Sequence, residues 1–357
     1  MLKQTPFNSA HKALGAKLVP FAGYEMPVLY TSIIEEHKTV RKSAGVFDIG
    51  HMGLIKISGE GALDLLQKVT TNDVSKLDFG MVQYSAVCNE SGGTQDDILV
   101  YRFAGCYLVV MNASNADKIL KYIEINRNNN TEIKDLKDNN TMLAIQGPKA
   151  VWIMEKISKL QLSNIKHREC VENKIFDVKC WYSKTGYTGE EGFEIFFEKT
   201  KAEQVWNEII KAGAKPCGIG CRDTLRLEAS LPLYGHELEE NISPLEAGQG
   251  WIVKFDKGEF VGRSALLKLK EKGLTRKLVG IEVLEKAIPR QGYKFFVDNK
   301  EIGNITSGTM SPTLNKPIGM AYVDIKYSEI GTELQIEVRG NLYKCVVVNM
   351  PFYRRTI

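Results

Sequence analysis

Val82-Gln83-Tyr84-Ser85-Ala86-Val87 alternates in character, Asn89-Glu90-Ser91-Gly92-Gly93 turns, and Ile98-Leu99-Val100-Tyr101 runs back. This is the pattern of a β-hairpin, with glycines where a positive φ is needed. Working outward, Ser32 to Lys42 predicts a helix with Ser32 as its cap and Glu35 at the third helical position. Leu63, Leu66 and Val69 mark a second amphipathic helix. Further strands are expected at Tyr107–Met111 and Met142–Ile145, and Gly147-Pro148 opens a helix through Val151 and Met154. Phe176–Trp181 and Phe193–Phe197 read as strands, and Lys201–Ala212 as a helix. Helices and antiparallel strands thus mix without the regular alternation of a doubly wound sheet, which gives an α+β class.

From Lys277 the character shifts to short β-rich runs: Leu278–Val283, Tyr293–Val297, Glu301–Thr306, Ile318–Val323, Glu333–Val338 and Tyr343–Val348. Asp298-Asn299, Gly303, Gly331 and Gly340 punctuate them, which predicts a small β-barrel or sandwich. The charged stretch Lys268 to Arg276 is the natural linker. The chain therefore divides into a region over 1–270 and a barrel domain over 277–357.

The 357 residues suffice for two or three packed domains. With 47 basic against 43 acidic residues, the net charge of +4 is too small and too evenly spread to point to nucleic acid or a membrane surface. Basic pairs such as Arg354-Arg355 read first as solvated surface. No apolar run approaches the ~20 residues that span a bilayer. Met1-Leu2-Lys3-Gln4-Thr5-Pro6 carries no signal core, so the expectation is a cytoplasmic protein or an already processed form. Seven cysteines occur without a C-x-x-C pair, and five histidines without an H-E-x-x-H arrangement. Free thiols in a reducing compartment and no metal site are the expectation.

Three stretches carry chemistry. In Gly92-Gly93-Thr94-Gln95-Asp96-Asp97-Ile98-Leu99-Val100-Tyr101, two acids enter an apolar strand. Alternation puts Asp97, Leu99 and Tyr101 on one face and Asp96, Ile98 and Val100 on the other. A carboxylate on a buried face must be paired, hydrogen-bonded or protonated; the plainer reading is two solvated acids ending a turn. In Gly186-Tyr187-Thr188-Gly189-Glu190-Glu191-Gly192-Phe193-Glu194-Ile195-Phe196-Phe197, glycines around two acids let the backbone approach a ligand. The stretch fits neither a Walker A loop nor a dinucleotide fingerprint. Glu194 inside Phe-Glu-Ile-Phe-Phe is costly unless donors reach it, and a planar heterocycle with an N–H beside an amino group would supply two. A glutamate facing solvent from an edge strand is the competing reading. In Cys221-Arg222-Asp223-Thr224-Leu225-Arg226-Leu227-Glu228-Ala229, a helix starts after Gly218 and Gly220, with Arg222 and Arg226 four apart. They could hold a carboxylated ligand tail, although an intramolecular pair suits Arg226 better.

Taken in order, these stretches resemble the T-protein of the glycine cleavage system from end to end. The match runs through Thr5-Pro6, Phe21-Ala22-Gly23-Tyr24-Glu25-Met26-Pro27, Phe47-Asp48-Ile49-Gly50-His51-Met52-Gly53, Gly92-Gly93 and Asp96-Asp97. It continues with Gln146-Gly147-Pro148, Gly186-Tyr187-Thr188-Gly189-Glu190, Cys221-Arg222-Asp223, Leu233-Tyr234-Gly235, Trp251, Phe260-Val261-Gly262, Thr306-Ser307-Gly308 and Pro351-Phe352-Tyr353. Departures are Gly50, where the family usually has serine, and Thr94-Gln95, where aliphatic residues are usual. The resemblance implies a three-domain, ring-like fold around a folate channel, with two intertwined α+β domains before the barrel. It also implies the reaction: the aminomethyl group on a lipoyl carrier protein becomes the methylene of 5,10-methylenetetrahydrofolate, and ammonia is released. By the family's motif Asp97 is the catalytic carboxylate. Glu194 binds the pterin edge and Arg222 the folate, while Tyr84, Tyr101, Tyr187, Trp251 and Asp96 fall among the folate-binding positions.

Two alternatives stay open. One is a non-enzymatic folate-binding protein, although the Lys-Gly-Cys-Tyr-x-Gly-Gln motif of iron–sulfur assembly relatives is absent. The other is a folate-dependent methyltransferase or demethylase with a different one-carbon donor.

Overall fold

The structure is a computed structural model that describes residues 1–355. Two compact units emerge. The first comprises residues 1–67, 73–84 and 98–223; the second comprises 68–72, 85–97 and the described residues from 224 onward. The strands Val82–Cys88 and Thr94–Phe103 and the helix Ile219–Glu228 each contribute residues to both.

The first unit is organised on a six-stranded sheet with spatial order Cys170–Ile175, Val178–Ser183, Gly192–Glu198, Asn140–Gln146, Gly45–Asp48 and Lys215–Pro216. Side-chain alternation divides this sheet into two faces. Val46, Leu143, Ile145, Phe193, Ile195 and Phe197 point to one of them. There they join a core with Ile153, Met154 and Ile157 of helix Ala150–Ser158 and Val205, Trp206 and Ile209 of helix Ala202–Ala212. Burying such side chains is worth about 1.5–3 kcal/mol each, so this face fixes the register and hence what the opposite face presents. The hairpin Val82–Cys88 and Thr94–Phe103 belongs to a separate five-stranded sheet, continued by Cys106–Met111, Gly53–Ser58 and Glu132–Asp135.

Several local expectations hold. Ser32 caps helix Ile33–Lys42, its hydroxyl accepting the Glu35 N–H at 3.2 Å. In helix Ala62–Val69 the buried stripe includes Leu65 and Leu66, with Leu63 half-buried. Two expectations need correction. The run expected as a strand from Phe176 starts at Val178, because Phe176, with φ of 53°, sits in the two-residue turn of a hairpin whose first strand is Cys170–Ile175. The charged linker is half helix: Arg263–Lys272 is helical, and only the stretch after Gly273 leads to the next strand.

In the second unit Arg276–Val283, Pro317–Asp324, Lys300–Met310, Lys294–Val297, Glu333–Val338 and Asn341–Val348 close a six-stranded barrel in that order. Asp298 and Asn299 take φ of 49° and 62°, and Arg339 and Gly340 take 53° and 81°. Both pairs form the mirror-image turns that match the twist of adjacent strands. A register shift between Ile305 and Ser307 turns two successive hydroxyls, Thr306 and Ser307, into buried positions. They meet a buried ion pair: Arg226 Nη1 donates to Glu237 Oε2 at 2.8 Å and Nη2 to Ser307 Oγ at 2.7 Å. Thr306 Oγ1 donates to Glu237 Oε1 at 2.5 Å. Arg226 is thus an internal partner, the role that suited it better. Among the described residues no helix is long and apolar enough to cross a membrane.

Candidate active site

The face of the six-stranded sheet away from the core presents a row of side chains from four adjacent strands. Phe47 lies opposite Ala144, Ala144 opposite Glu194, and Glu194 opposite Ser183. The small Ala144 stands between the Phe47 ring and the Glu194 carboxylate on this face. Glu194 is 7% exposed, on a strand paired on both sides. The solvated edge-strand reading of this acid is therefore set aside.

One carboxylate oxygen is satisfied internally. Thr185 Oγ1 donates to Glu194 Oε2 at 2.7 Å, and the same hydroxyl lies 2.9 Å from Ser183 Oγ. Oε1 faces Arg222 Nη2 at 3.9 Å, beyond hydrogen-bond reach. Arg222 Nη1 is buried and has no hydrogen-bond partner. The Arg222 guanidinium lies over Tyr187 at 5.0 Å and over Phe47 at 5.8 Å, both within cation–π range. Burial pulls its pKa down and the Glu194 charge opposes that pull. A carboxylate and a guanidinium in contact would close to about 2.8 Å. Here they stand apart, each with unused capacity, so the pair can take up a ligand that has both donors and acceptors.

Tyr101 is wholly buried and meets Phe196 edge-on at 5.1 Å. Burial, then the Glu194 charge, hold its phenol well above the usual value of 10. The structure thus brings Glu194, Arg222, Tyr187 and Tyr101 together within the first unit. Tyr84 is half-buried on its strand, beside the Arg168 guanidinium. In the second unit Asp96 is buried and Asp97 half-exposed, on opposite faces as alternation requires. Their strand is anchored by Gly93-Thr94. A Cβ at Gly93 would stand 1.8 Å from the Glu240 carbonyl oxygen, and Thr94 Oγ1 donates to the Ile242 carbonyl at 2.9 Å. Thr94 therefore suits its place, although aliphatic residues are usual there. Trp251 is 47% exposed, its indole donating to Gln249 at 3.0 Å.

Residues that pattern reading passed over include Ser183 and Thr185, which reach Glu194 only through strand register. His51 is another. Its Nδ1 is buried without a partner, and burial pushes the imidazole down to about 4. Arg222 and Lys137 add to that fall, while Asp48 opposes it. The preceding Gly50, a departure from family habit, has a local reason: a Cβ there would approach Thr141 Oγ1 to 2.5 Å. Unfolded, His51 titrates near 6.5, so its contribution to stability is complete above that pH and lost as pH falls toward 4. His51→Phe is expected to flatten this part of the stability–pH profile by on the order of 2 kcal/mol. Urea unfolding at pH 7 and 4.5 checks this, and an unchanged slope would contradict it.

Glu36, Cys217 and Cys221 place three ligand atoms within 4.8 Å of one another. The Glu36 carboxylate already accepts the backbone N–H groups of Tyr30, Thr31 and Gly218 at 2.6, 2.9 and 2.8 Å. Burial holds the Cys221 thiol well above its usual pKa. The trio ties the turn before helix Ile219–Glu228 to the 30–31 segment.

Fold and site together define an α+β protein with a buried, separated carboxylate–guanidinium pair on one sheet face and a closed C-terminal barrel. Residues 7–257 match the GCVT N-terminal domain, and residues 276–354 match the glycine cleavage T-protein C-terminal barrel domain. The chain belongs to the glycine cleavage T-protein family. It is 48% identical over 361 residues to an aminomethyltransferase of Desulforamulus reducens, covering 100% of this chain and 99% of that one. It is also 48% identical to an aminomethyltransferase of Caldanaerobacter subterraneus subsp. tengcongensis, covering 99% and 96%. Among solved structures, the glycine cleavage system aminomethyltransferase T of Bartonella henselae superposes with a TM-score of 0.94 at 31% identity, covering 99% of this chain and 98% of that one.

Proposed function

We propose that the protein transfers the one-carbon unit of an aminomethylated lipoyl carrier protein to tetrahydrofolate, giving 5,10-methylenetetrahydrofolate, ammonia and the carrier with its lipoyl arm as the free dithiol. Full-length relatives bearing the name aminomethyltransferase favour this reading over a non-enzymatic binder or a transferase with another donor. The observation that carries the site assignment is the separation of Glu194 from Arg222. A reduced pterin offers a ring N–H next to an amino group, a two-donor edge for Glu194, and Arg222 has an N–H to give to an acceptor on the same ligand. Tyr187 supplies a flat aromatic surface beside it, and Tyr101 closes the apolar side.

Tetrahydrofolate, as acceptor substrate, supplies the nucleophilic nitrogen. Asp97 is assigned as the catalytic carboxylate. As ammonia leaves, the carbon between sulfur and nitrogen gains positive charge, and a fixed carboxylate lowers the energy of that state. Holding both reactants in one orientation supplies much of the remaining acceleration. Tyr84, Trp251 and Asp96 are assigned to the folate-binding set, and 1–270 to the catalytic region with 277–357 as the barrel domain. Seven free thiols fit a reducing cytoplasm.

Removing the Glu194 side chain strips two charge-assisted hydrogen bonds from the ligand. Glu194→Ala is therefore expected to weaken tetrahydrofolate binding by about 2–4 kcal/mol, read by calorimetry; an unchanged dissociation constant would contradict the assignment. The function as a whole is tested by mixing the protein with aminomethylated lipoyl carrier. Ammonia release that requires tetrahydrofolate is expected, and release indifferent to folate, or none, would overturn it.

A further inference from the structure

The 186–191 segment carries Tyr187 beside Arg222, yet its Glu190 is not an open ligand for that site. Glu190 turns back to Arg41, in the last turn of helix Ile33–Lys42. Arg41 Nη1 donates to Glu190 Oε1 at 2.8 Å and to the Thr188 carbonyl at 2.7 Å. The two charged side chains are only 7% and 5% exposed. A buried pair of this kind is a strong geometric constraint, because neither charge can be released into water without moving the segment.

Gln146, wholly buried at the end of strand Asn140–Gln146, holds the same segment from inside. Its Oε1 accepts the Thr188 hydroxyl at 2.9 Å, and its Nε2 donates to the Thr185 carbonyl at 3.1 Å. Gly147 N–H donates to the Glu191 carbonyl at 2.7 Å. A Cβ at Gly186 would stand 2.0 Å from Gln146 Oε1, so the glycine there serves contact with Gln146. The carbonyls of Thr185, Thr188 and Glu191 are thus each fixed, and Tyr187 is the side chain left facing Arg222 at 5.0 Å. Thr185, whose carbonyl Gln146 binds, is also the residue whose hydroxyl orients Glu194.

We propose that Arg41, with Gln146, is a positioning residue: it clamps the 186–191 segment so that Tyr187 and Glu194 meet the folate in one preset arrangement. This rests on the assignment of Glu194 and Tyr187 to folate binding. Arg41 itself touches no reacting atom. Its work is to remove the ordering cost of the segment from the binding step. Loss of the clamp therefore raises KM and the dissociation constant, and changes kcat at saturating folate much less.

The test uses the full chain with Arg41→Met, Glu190→Gln and, as reference, Glu194→Ala. Amide hydrogen exchange over 186–191 is followed in the free protein, tetrahydrofolate binding by calorimetry, and KM and kcat by ammonia release. Arg41→Met is expected to speed exchange in the segment and to raise KM and the dissociation constant about tenfold, with kcat within about threefold. Glu190→Gln, which keeps an acceptor but loses the charge, shifts the same quantities in the same direction by less. Faster exchange with an unchanged dissociation constant, while Glu194→Ala still weakens binding, would overturn the positioning role. Unchanged exchange would overturn the clamp itself. An unchanged dissociation constant in Glu194→Ala would instead refute the folate assignment, and the clamp would then stand or fall on exchange alone. Should Arg41→Met not fold, Glu190→Gln decides by the same criteria.

Discussion

Asp97→Asn is expected to lower turnover at saturating tetrahydrofolate by about 10²–10³-fold while the folate dissociation constant stays within a few-fold. The substitution keeps the shape of the side chain and one acceptor oxygen, while it removes the charge and replaces the second oxygen with an amide donor. An interaction that matters solely when positive charge develops at the transferred carbon is lost from kcat and not from ground-state binding. Asp97 lies on the half-exposed face of strand Thr94–Phe103, partly open to solvent. Its neighbour provides the control. Asp96 is fully buried on the opposite face and is assigned to folate binding, so Asp96→Asn should lower the melting temperature and weaken folate binding before it lowers kcat. Steady-state kinetics with calorimetry on both variants checks this, and equal losses of turnover and affinity in Asp97→Asn would remove Asp97 from the chemical step.

Arg226→Met is expected to destabilise the second unit by about 3–5 kcal/mol, because it leaves Glu237 as an uncompensated buried charge. Glu237 Oε2 would keep only the Leu233 N–H at 3.0 Å, and Ser307 would lose its guanidinium donor. Arg226→Met/Glu237→Met should recover most of the loss, since apolar groups of similar volume can replace a buried pair at little cost. Chemical denaturation measures both. A single variant that loses under about 1 kcal/mol would show that Glu237 is neutral or finds water when its partner is removed.

Much of the architecture could be read from the residues themselves, because it rests on local signals. The barrel is written in period-two runs and in turn pairs such as Asp298-Asn299, whose side chains tolerate the left-handed backbone that a tight hairpin needs. The strand Cys170–Ile175 was not legible. Its sequence, Cys-Val-Glu-Asn-Lys-Ile, is half polar because one side stays exposed, and the bulky Phe176 sits at the turn where glycine or asparagine would have signalled it. The helix Arg263–Lys272 was hidden by its own charge: only Leu266 is fully buried, so its apolar stripe is too thin to register.

The site divides in the same way. Glu194 was visible as an acid inside an aromatic strand, and Arg222 as a guanidinium at a glycine-led helix start. Their surroundings were not visible, since Ser183 and Thr185 reach Glu194 through strand register, and Arg41 meets Glu190 across 149 positions of chain. Such partners depend on which strands become neighbours, and no local pattern records that.

Transfer of carbon from carrier to folate is tested most directly by following that carbon. The lipoyl carrier is loaded with a carbon-13-labelled aminomethyl group, and the reaction with tetrahydrofolate is observed by NMR. The predicted result is label appearing in 5,10-methylenetetrahydrofolate in step with ammonia, abolished in Glu194→Ala at limiting folate and slowed in Asp97→Asn. Ammonia released while the label escapes as free formaldehyde, or label that never leaves the carrier, would contradict it.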